Sequence, residues 1–587
     1  MRIRFTVTAT ALALAISAIA TQAHDQLAQV PQVKPVQPRE RPQLPSVNLT
    51  PDLMNKLLLA EIAMQRGQPQ VGVRALLDVA RETNDVRVAQ RATEAAWNAR
   101  MPREALEAAG LWLKADPASP QARKVMVALL VGQEKLADVR EPLARWLAAD
   151  KENVAQTFPQ ITQLLARQTD KKAVYELLRD VGKPYNTLPE VRLALAQAAW
   201  GANDVDASLA ESRAALKLKP ELELAALFQA QALQKKFNAE AIDFLGGYLK
   251  TYPKARDARL TYARLLAADK RQAAAREQFE MLHAEAPKNP DLAMAVATLA
   301  AQTNDLDSAE KYLKAALDAG HKEPDQIWMM LGQINEDRKN YDEALRWYGG
   351  ITSGDRFVIG QARYATVLYK QGKLDEARKH LQSVSPRNAA QAIQLVQAEA
   401  NLLREAQRYQ DAYDLLGKTL DGAPESADLL YDQAMIADKV DRLDVLERNL
   451  RKVIELQPEH AHAHNALGYT LADRNQRLPE AKKLIERALQ LAPQDGYIID
   501  SLGWVLYRMG NLREAIVQLR RAYELRPEAE VGAHLGEVLW ADGKQDEARK
   551  VWADMLKEGP TNDTLLNTLK RFAPAMVPAT ASPTVAK

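Results

Sequence analysis

Ser501-Leu502-Gly503-Trp504-Val505-Leu506-Tyr507, followed at helical intervals by Ala515, Leu519, Ala522 and Pro527, sets a pattern that returns 33 residues later. There His534-Leu535-Gly536-Glu537-Val538-Leu539 leads to Ala548, Trp552 and Pro560. Upstream, Asn465-Ala466-Leu467-Gly468-Tyr469 leads to Ala481, Ile485, Ala488 and Pro493, and Trp328-Met329-Met330-Leu331-Gly332 leads to Ala344 and Tyr348. Each segment reads as two helices: Leu502, Leu506 and Leu519 supply an apolar face at helical spacing, and the proline stops the second helix because it has no N–H and restricts the residue before it.

The small position of the second helix can be followed through Gly72, Ala105, Asp138, Ala173, Ser208, Ala241, Ala275, Ala309, Ala344, Ala377, Ala412, Leu446, Ala481, Ala515 and Ala548. Fourteen steps cover 476 residues, a mean of 34, and eleven of the fifteen residues are alanine. Prolines 220, 253 and 287, then 424, 458, 493, 527 and 560, keep the same interval. Small side chains are needed where two antiparallel helices cross, since bulk would push the backbones apart. One hairpin cannot bury its apolar face alone, so neighbours must stack.

The spacing W-x2-L-G-x2-Y…A-x3-F…P at about 34 residues resembles the tetratricopeptide repeat family. The resemblance implies an all-α fold, a right-handed solenoid of about 15 helical hairpins. The first four units are degenerate, with Asp138 and Ser208 in the small slot and Pro142 and Pro159 inside helical stretches. Gly349-Gly350 and Ser385-Pro386-Arg387-Asn388 shorten the helices holding Ala344 and Ala377, which predicts an irregular hinge region over 349–390, with a merely looser loop as the alternative. It divides an N-terminal solenoid, 52–348, from a C-terminal one, 391–571.

At the ends the composition changes. Arg2 and Arg4, the apolar stretch Phe5 to Ala20 and the small-residue sites Ala18-Ile19-Ala20 and Thr21-Gln22-Ala23 read as a cleavable signal peptide over 1–23, which predicts a periplasmic protein. The apolar run of 16 residues is shorter than the ~20 that span a bilayer as a helix, and an uncleaved anchor is the alternative reading. Prolines 31, 35, 38, 42, 45 and 51 mark a disordered spacer over 24–51, and Pro574, Pro578 and Pro583 a disordered tail over 572–587.

Lys and Arg total 78 against 76 Asp and Glu, a net charge of +2, and the pI of 8.3 lies below the ~9 of nucleic-acid-binding domains, so no nucleic-acid partner is expected. The chain has no cysteine. Disulfides, thiol nucleophiles, Cys-ligated zinc and a lipid-modified cysteine are therefore not expected.

The sequence has no G-x-G-x-x-G, Walker A, H-E-x-x-H, G-x-S-x-G or EF-hand loop, and repeats fill roughly 52–560. A non-enzyme with no cofactor and no metal is expected; an active site would have to be built on the repeats themselves. His460-Ala461-His462-Ala463-His464 places two histidines i, i+4, but a third ligand of obvious spacing is lacking, and the run is expected to be solvated. His283, His321, His380 and His534 are scattered, which suits surface or packed residues better than acid–base catalysts.

In the tetratricopeptide family the first helix of each hairpin lines the concave surface and contacts partners. The resemblance then places Asn465, Tyr469, Tyr497, Asp500, Trp504, Tyr507, Arg508, Glu537 and Trp540 on a partner-binding face. Aromatics and Arg suit interaction hot spots, whereas Trp504 and Trp540 could equally be packing between repeats. The Lys/Asn constellation with which some family members clamp a C-terminal carboxylate is not reproduced there.

The stretch from Asn465-Ala466-Leu467-Gly468-Tyr469-Thr470-Leu471-Ala472-Asp473 through Ile499-Asp500-Ser501-Leu502-Gly503-Trp504 to Leu535-Gly536-Glu537-Val538-Leu539-Trp540 is similar to a subfamily of Gram-negative envelope repeat proteins. Its members include a lipoprotein adaptor that binds a carboxyl-terminal processing protease and brings it peptidoglycan hydrolases. The resemblance implies a periplasmic scaffold whose partners are envelope proteins of that kind; without the lipobox cysteine of those adaptors, no lipid anchor is expected. The alternative is a structural component of an envelope export or polysaccharide-secretion assembly. The sequence leaves the oligomeric state open.

Overall fold

The computed structural model describes residues 47–133 and 135–578. The signal segment 1–23, the spacer up to residue 46 and the tail beyond residue 578 lie outside the described residues. Those that are described form thirty-one α-helices and no strand: fifteen helical hairpins, from Pro51–Gln65 with Pro69–Thr83 to Ala529–Ala541 with Gln545–Glu558, and a closing helix, Asp563–Phe572. No described helix is long and apolar enough to cross a membrane.

Local chemistry sets the helix ends. Pro51, Pro69, Pro102, Pro120, Pro189, Pro290 and Pro324 open helices at N1, where a missing N–H costs nothing. The Thr50 hydroxyl caps the first helix, and Asp495 Oδ1 accepts from the N–H groups of Tyr497 and Ile498 at 2.9 and 3.2 Å. Each of the eight periodic prolines lies two residues past the end of a second helix: Pro493 after Leu491, Pro527 after Leu525, Pro560 after Glu558. In many hairpins the turn passes through a left-handed residue, such as Gly510 at φ 82° in the hairpin of Trp504.

The alanine slot is the fourth residue of every second helix and is fully buried at Ala241, Ala275, Ala309, Ala344, Ala377, Ala412, Ala481, Ala515 and Ala548. Two positions of the sequence walk need correction. Asp138 is exposed and Ala173 half-buried, and the fourth residues of their helices, Leu136–Ala149 and Lys171–Gly182, are the buried Val139 and Val174. The register slips by one because a β-branched side chain fills the slot there. Ser208 fits it by donating its hydroxyl to Ala196 O at 3.0 Å. Pro142 and Pro159 stand inside continuous helices.

In four hairpins a glycine of the first helix, Gly332, Gly468, Gly503 or Gly536, receives the residue one turn beyond the slot. A Cβ on Gly503 would meet Leu519 Cγ at 2.5 Å and one on Gly468 would meet Ile485 Cγ1 at 2.6 Å; on Gly332 and Gly536 it would run into the Tyr348 and Trp552 rings.

The chain divides into two compact units, one ending at His321 and one beginning at Lys322. The first contains eight hairpins; the second contains seven and the closing helix. The 349–390 segment falls inside the second unit, where Tyr341–Gly349 and Leu374–Ser383 have nine and ten residues against fourteen in most second helices. At the C-terminus, part of the expected tail is packed: Phe572 stacks on Trp552, and Met576 and Val577 lie against the core. Phe572, Met576 and Val577 thereby cover part of the apolar face of the hairpin Ala529–Ala541 with Gln545–Glu558.

Candidate protein-binding face

The first helices Ala461–Asp473, Gly496–Arg508 and Ala529–Ala541 pack side by side, and six of the nine predicted residues meet there. His534 is at the centre. Its Nδ1 lies 2.8 Å from Asp500 Oδ2, its Nε2 3.5 Å from the Tyr469 hydroxyl, and its ring stacks on Trp504 at 4.3 Å. The Trp504 indole N–H donates to Asp473 Oδ1 at 3.2 Å. Tyr507 donates to Glu537 Oε1 at 3.5 Å, and the Arg571 guanidinium of the closing helix donates to Glu537 Oε2 at 2.5 Å. Arg508 lies over the Trp504 ring, 5.9 Å from its centroid.

Asp500, Trp504 and Glu537 are 5%, 4% and 4% exposed, so they form the floor of the face and cannot be its contact surface. Trp504 is thus packed between hairpins, its indole stacked on the buried His534 imidazole, which matches the packing alternative of the sequence reading. Trp540 is likewise stacked, on Trp552 at 5.6 Å, with Arg549 over it. Tyr469, Tyr507, Arg508 and Asn465 are half-buried, with edges reaching solvent. Tyr497 is the most open of the nine at 41% exposed; its hydroxyl donates to Glu528 Oε2 at 2.7 Å and its ring carries Arg526 at 4.2 Å, away from the His534 cluster.

Electrostatics follow from this crowding. Burial lowers the basicity of His534, but the Asp500 carboxylate, bonded to it, and Glu530 and Glu537 nearby outweigh burial and hold its pKa above the usual histidine range. Burial pushes the Tyr469 hydroxyl far up, with Asp473, Glu530, Asp500 and Asp438 adding to the shift. Glu537 is raised by burial, with Arg571 opposing, and Glu530 by loss of water around its carboxyl.

The histidine run also departs from expectation. His460 caps its helix, Nδ1 accepting from Ala463 N at 3.1 Å, while His464 is buried with Nε2 3.0 Å from Pro458 O, so only part of the run is solvated. Among the described residues no cluster of three or more His, Cys, Asp or Glu is placed to hold a metal ion.

Asp473, His534 and Arg571 belong to the face but escaped sequence reasoning. A signal was present: residues one period apart on first helices touch. Asp500 and His534 are 34 apart, as are Glu537 and Arg571, and Gln397 and Asp432, which share a 2.7 Å hydrogen bond, are 35 apart.

An all-α array of stacked hairpins, with a polar and aromatic face built from its first helices, defines a repeat protein. The profile of the tetratricopeptide repeat matches residues 295–351, 446–496 and 501–563, and those stretches carry that repeat. It is similar to the TPR repeat-containing protein PA4667 of Pseudomonas aeruginosa, 32% identical over 248 residues, a match that spans 42% of each protein. Among solved structures, it is similar to a thermophilic TPR protein, TTC0263, of Thermus thermophilus: 22% identity, 30% of this chain, 96% of that chain, TM-score 0.28. A tetratricopeptide repeat protein from Parabacteroides merdae matches at 18% identity over 48% of this chain and 97% of that chain, TM-score 0.32. Tetratricopeptide-repeat proteins mediate protein–protein interaction, which supports a scaffold or adaptor role and protein partners.

Proposed function

We propose that the chain is a non-enzymatic scaffold of the periplasm that holds envelope proteins on its first-helix face, bringing peptidoglycan hydrolases to a carboxyl-terminal processing protease. The observation that carries the reading is the continuity of the face: Tyr469, Trp504 and His534, from three successive hairpins, pack into one surface whose polar edges remain open. Such a surface, fixed by ring stacking beneath, costs little ordering when a partner binds. The charged, apolar and small-residue order of residues 1–23 supports export. The mechanism is proximity: two proteins held on one frame meet at a high effective concentration without chemistry by the scaffold.

Cross-linked envelope extracts from cells expressing the full chain test this. The protease and at least one hydrolase are expected to co-purify with wild type and to be lost with Tyr507→Ala/Arg508→Ala. Recovery of neither protein, or equal recovery with the variant, contradicts the reading.

A further inference from the structure

Phe572, Met576 and Val577 pack on the last hairpin, but the first helix of the array has no such cover among the described residues. In Pro51–Gln65 one side, with Leu53, Ala60 and Ala63, is buried. Met54, Leu58 and Ile62, four residues apart and so on one stripe, are 50%, 50% and 47% exposed, with Leu59 beside them at 51%. Counting twelve residues back from the slot, as from Ala515 to Gly503, puts Ala60 opposite Gly72. Leu59 and Ile62 then correspond to Val296 and Leu299 in Pro290–Gln302 and to Leu502 and Val505 in Gly496–Arg508, all four buried. Those two helices each pack against the second helix of the hairpin before them. The stripe at Leu58 is therefore a face built for contact between hairpins, with no described hairpin against it, and a contiguous apolar stripe in water marks a missing cover.

We propose that the chain covers this face itself, with residues 27–36 of the segment that precedes Val47. In that stretch Leu27, Val30, Val33 and Val36 recur at every third residue, among Pro31, Pro35 and the polar Gln29, Gln32 and Lys34. Polyproline II has three residues per turn, so on that course the four apolar side chains line one edge. From Leu27 to Val36 the rise of ~3.1 Å per residue gives about 28 Å, against about 22 Å for a helix the length of Pro51–Gln65. The described chain starts at Val47, close to the helix start at Pro51, and residues 37–46 are a connector long enough for Val36 to lie anywhere along the stripe. Tethering favours this occupant over a second copy. Four half-exposed side chains fall short of the ~800 Å² per partner that a stable interface buries, whereas a joined segment meets the face at about millimolar effective concentration. The cover acts on the first hairpin and is independent of what the C-terminal face holds.

The chain has no cysteine, so introduced pairs report proximity without background. In the full-length chain oxidised with copper phenanthroline, Val33→Cys/Leu58→Cys is expected to form a disulfide within one molecule, at a yield independent of protein concentration. Val33→Cys/Glu277→Cys, whose second partner is an exposed residue of the seventh hairpin, should form little. In a separate measurement, Val30→Ser/Val33→Ser/Val36→Ser should speed amide hydrogen exchange in Pro51–Gln65 roughly tenfold, because an uncovered end of a repeat array frays, and leave the third and later hairpins unchanged. Gln29→Ser/Gln32→Ser/Gln37→Ser, which spares the apolar edge, should leave exchange as in wild type. Equal disulfide yields from the two pairs, no disulfide between positions 33 and 58, exchange unmoved by the valine variant, or an equal effect of the glutamine variant overturns the proposal. A disulfide that joins two molecules and rises with concentration also overturns it and gives the face to a second copy.

Discussion

His534 is the residue on which the C-terminal face turns. Asp500, Glu530 and Glu537 surround it with carboxylates and Tyr469 closes the far nitrogen, so the folded protein holds its proton more tightly than the unfolded chain does. A raised histidine pKa contributes stability that is complete below the unfolded value of about 6.5 and disappears as pH rises through the folded value. His534→Gln, which leaves Asp500 buried and uncompensated, is expected to cost about 3–5 kcal/mol at pH 5.5. The cost relative to wild type should shrink as pH climbs above 6.5, measured from urea midpoints at a series of pH values. A cost that grows with pH would mean the pair is not held in the charged state. Tyr469, Trp504 and Asp500 were legible from the sequence as occupants of the first-helix face. Their roles were not, because the partner of each lies one whole repeat away and only stacking brings it near.

At the scale of the helix, the periodic small residue and the closing proline were both readable, since sterics at a crossing and a missing N–H act locally. The register at Asp138 and Ala173 was not: valine in the slot at 139 and 174 breaks the alanine pattern while preserving the packing. The glycines give a sharper contrast. Gly536→Ala drives a methyl into the Trp552 ring and is expected to destabilise by about 1–3 kcal/mol. Gly247→Ala, in an exposed mid-helix position with open space around the added carbon, should stabilise by about 0.5–1 kcal/mol through helix propensity. Thermal melts followed at 222 nm check both; the same sign for the two would remove close crossing as the reason for glycine at 536.

Across the whole chain, stability is a sum of hairpins and the contacts between neighbours, so the ends matter more than their length suggests. Asp563–Phe572 shields the Trp552 and Trp540 rings through Phe572 and ties down Glu537 through Arg571. Truncation after Gly559 is expected to lower the urea midpoint seen by tryptophan fluorescence and leave the hairpins before His321 unchanged by hydrogen exchange. Uniform loss of protection along the chain would show that the units do not unfold separately. The prolines after Phe572 suggested a tail because composition reports turns, and the packing of Phe572, Met576 and Val577 depends on rings contributed by the preceding hairpin. The number of hairpins was readable because every unit repeats the same steric rule; the division after His321 carries no comparable mark in the sequence.

The central claim is that partner proteins are held on the first-helix face. A photoreactive phenylalanine analogue introduced in living cells at position 508, on that face, or at position 546, on an exposed second helix, measures it most directly. Cross-links to envelope proteins should concentrate at 508 and be sparse at 546. Equal yields at the two positions, or cross-links confined to 546, would contradict the account.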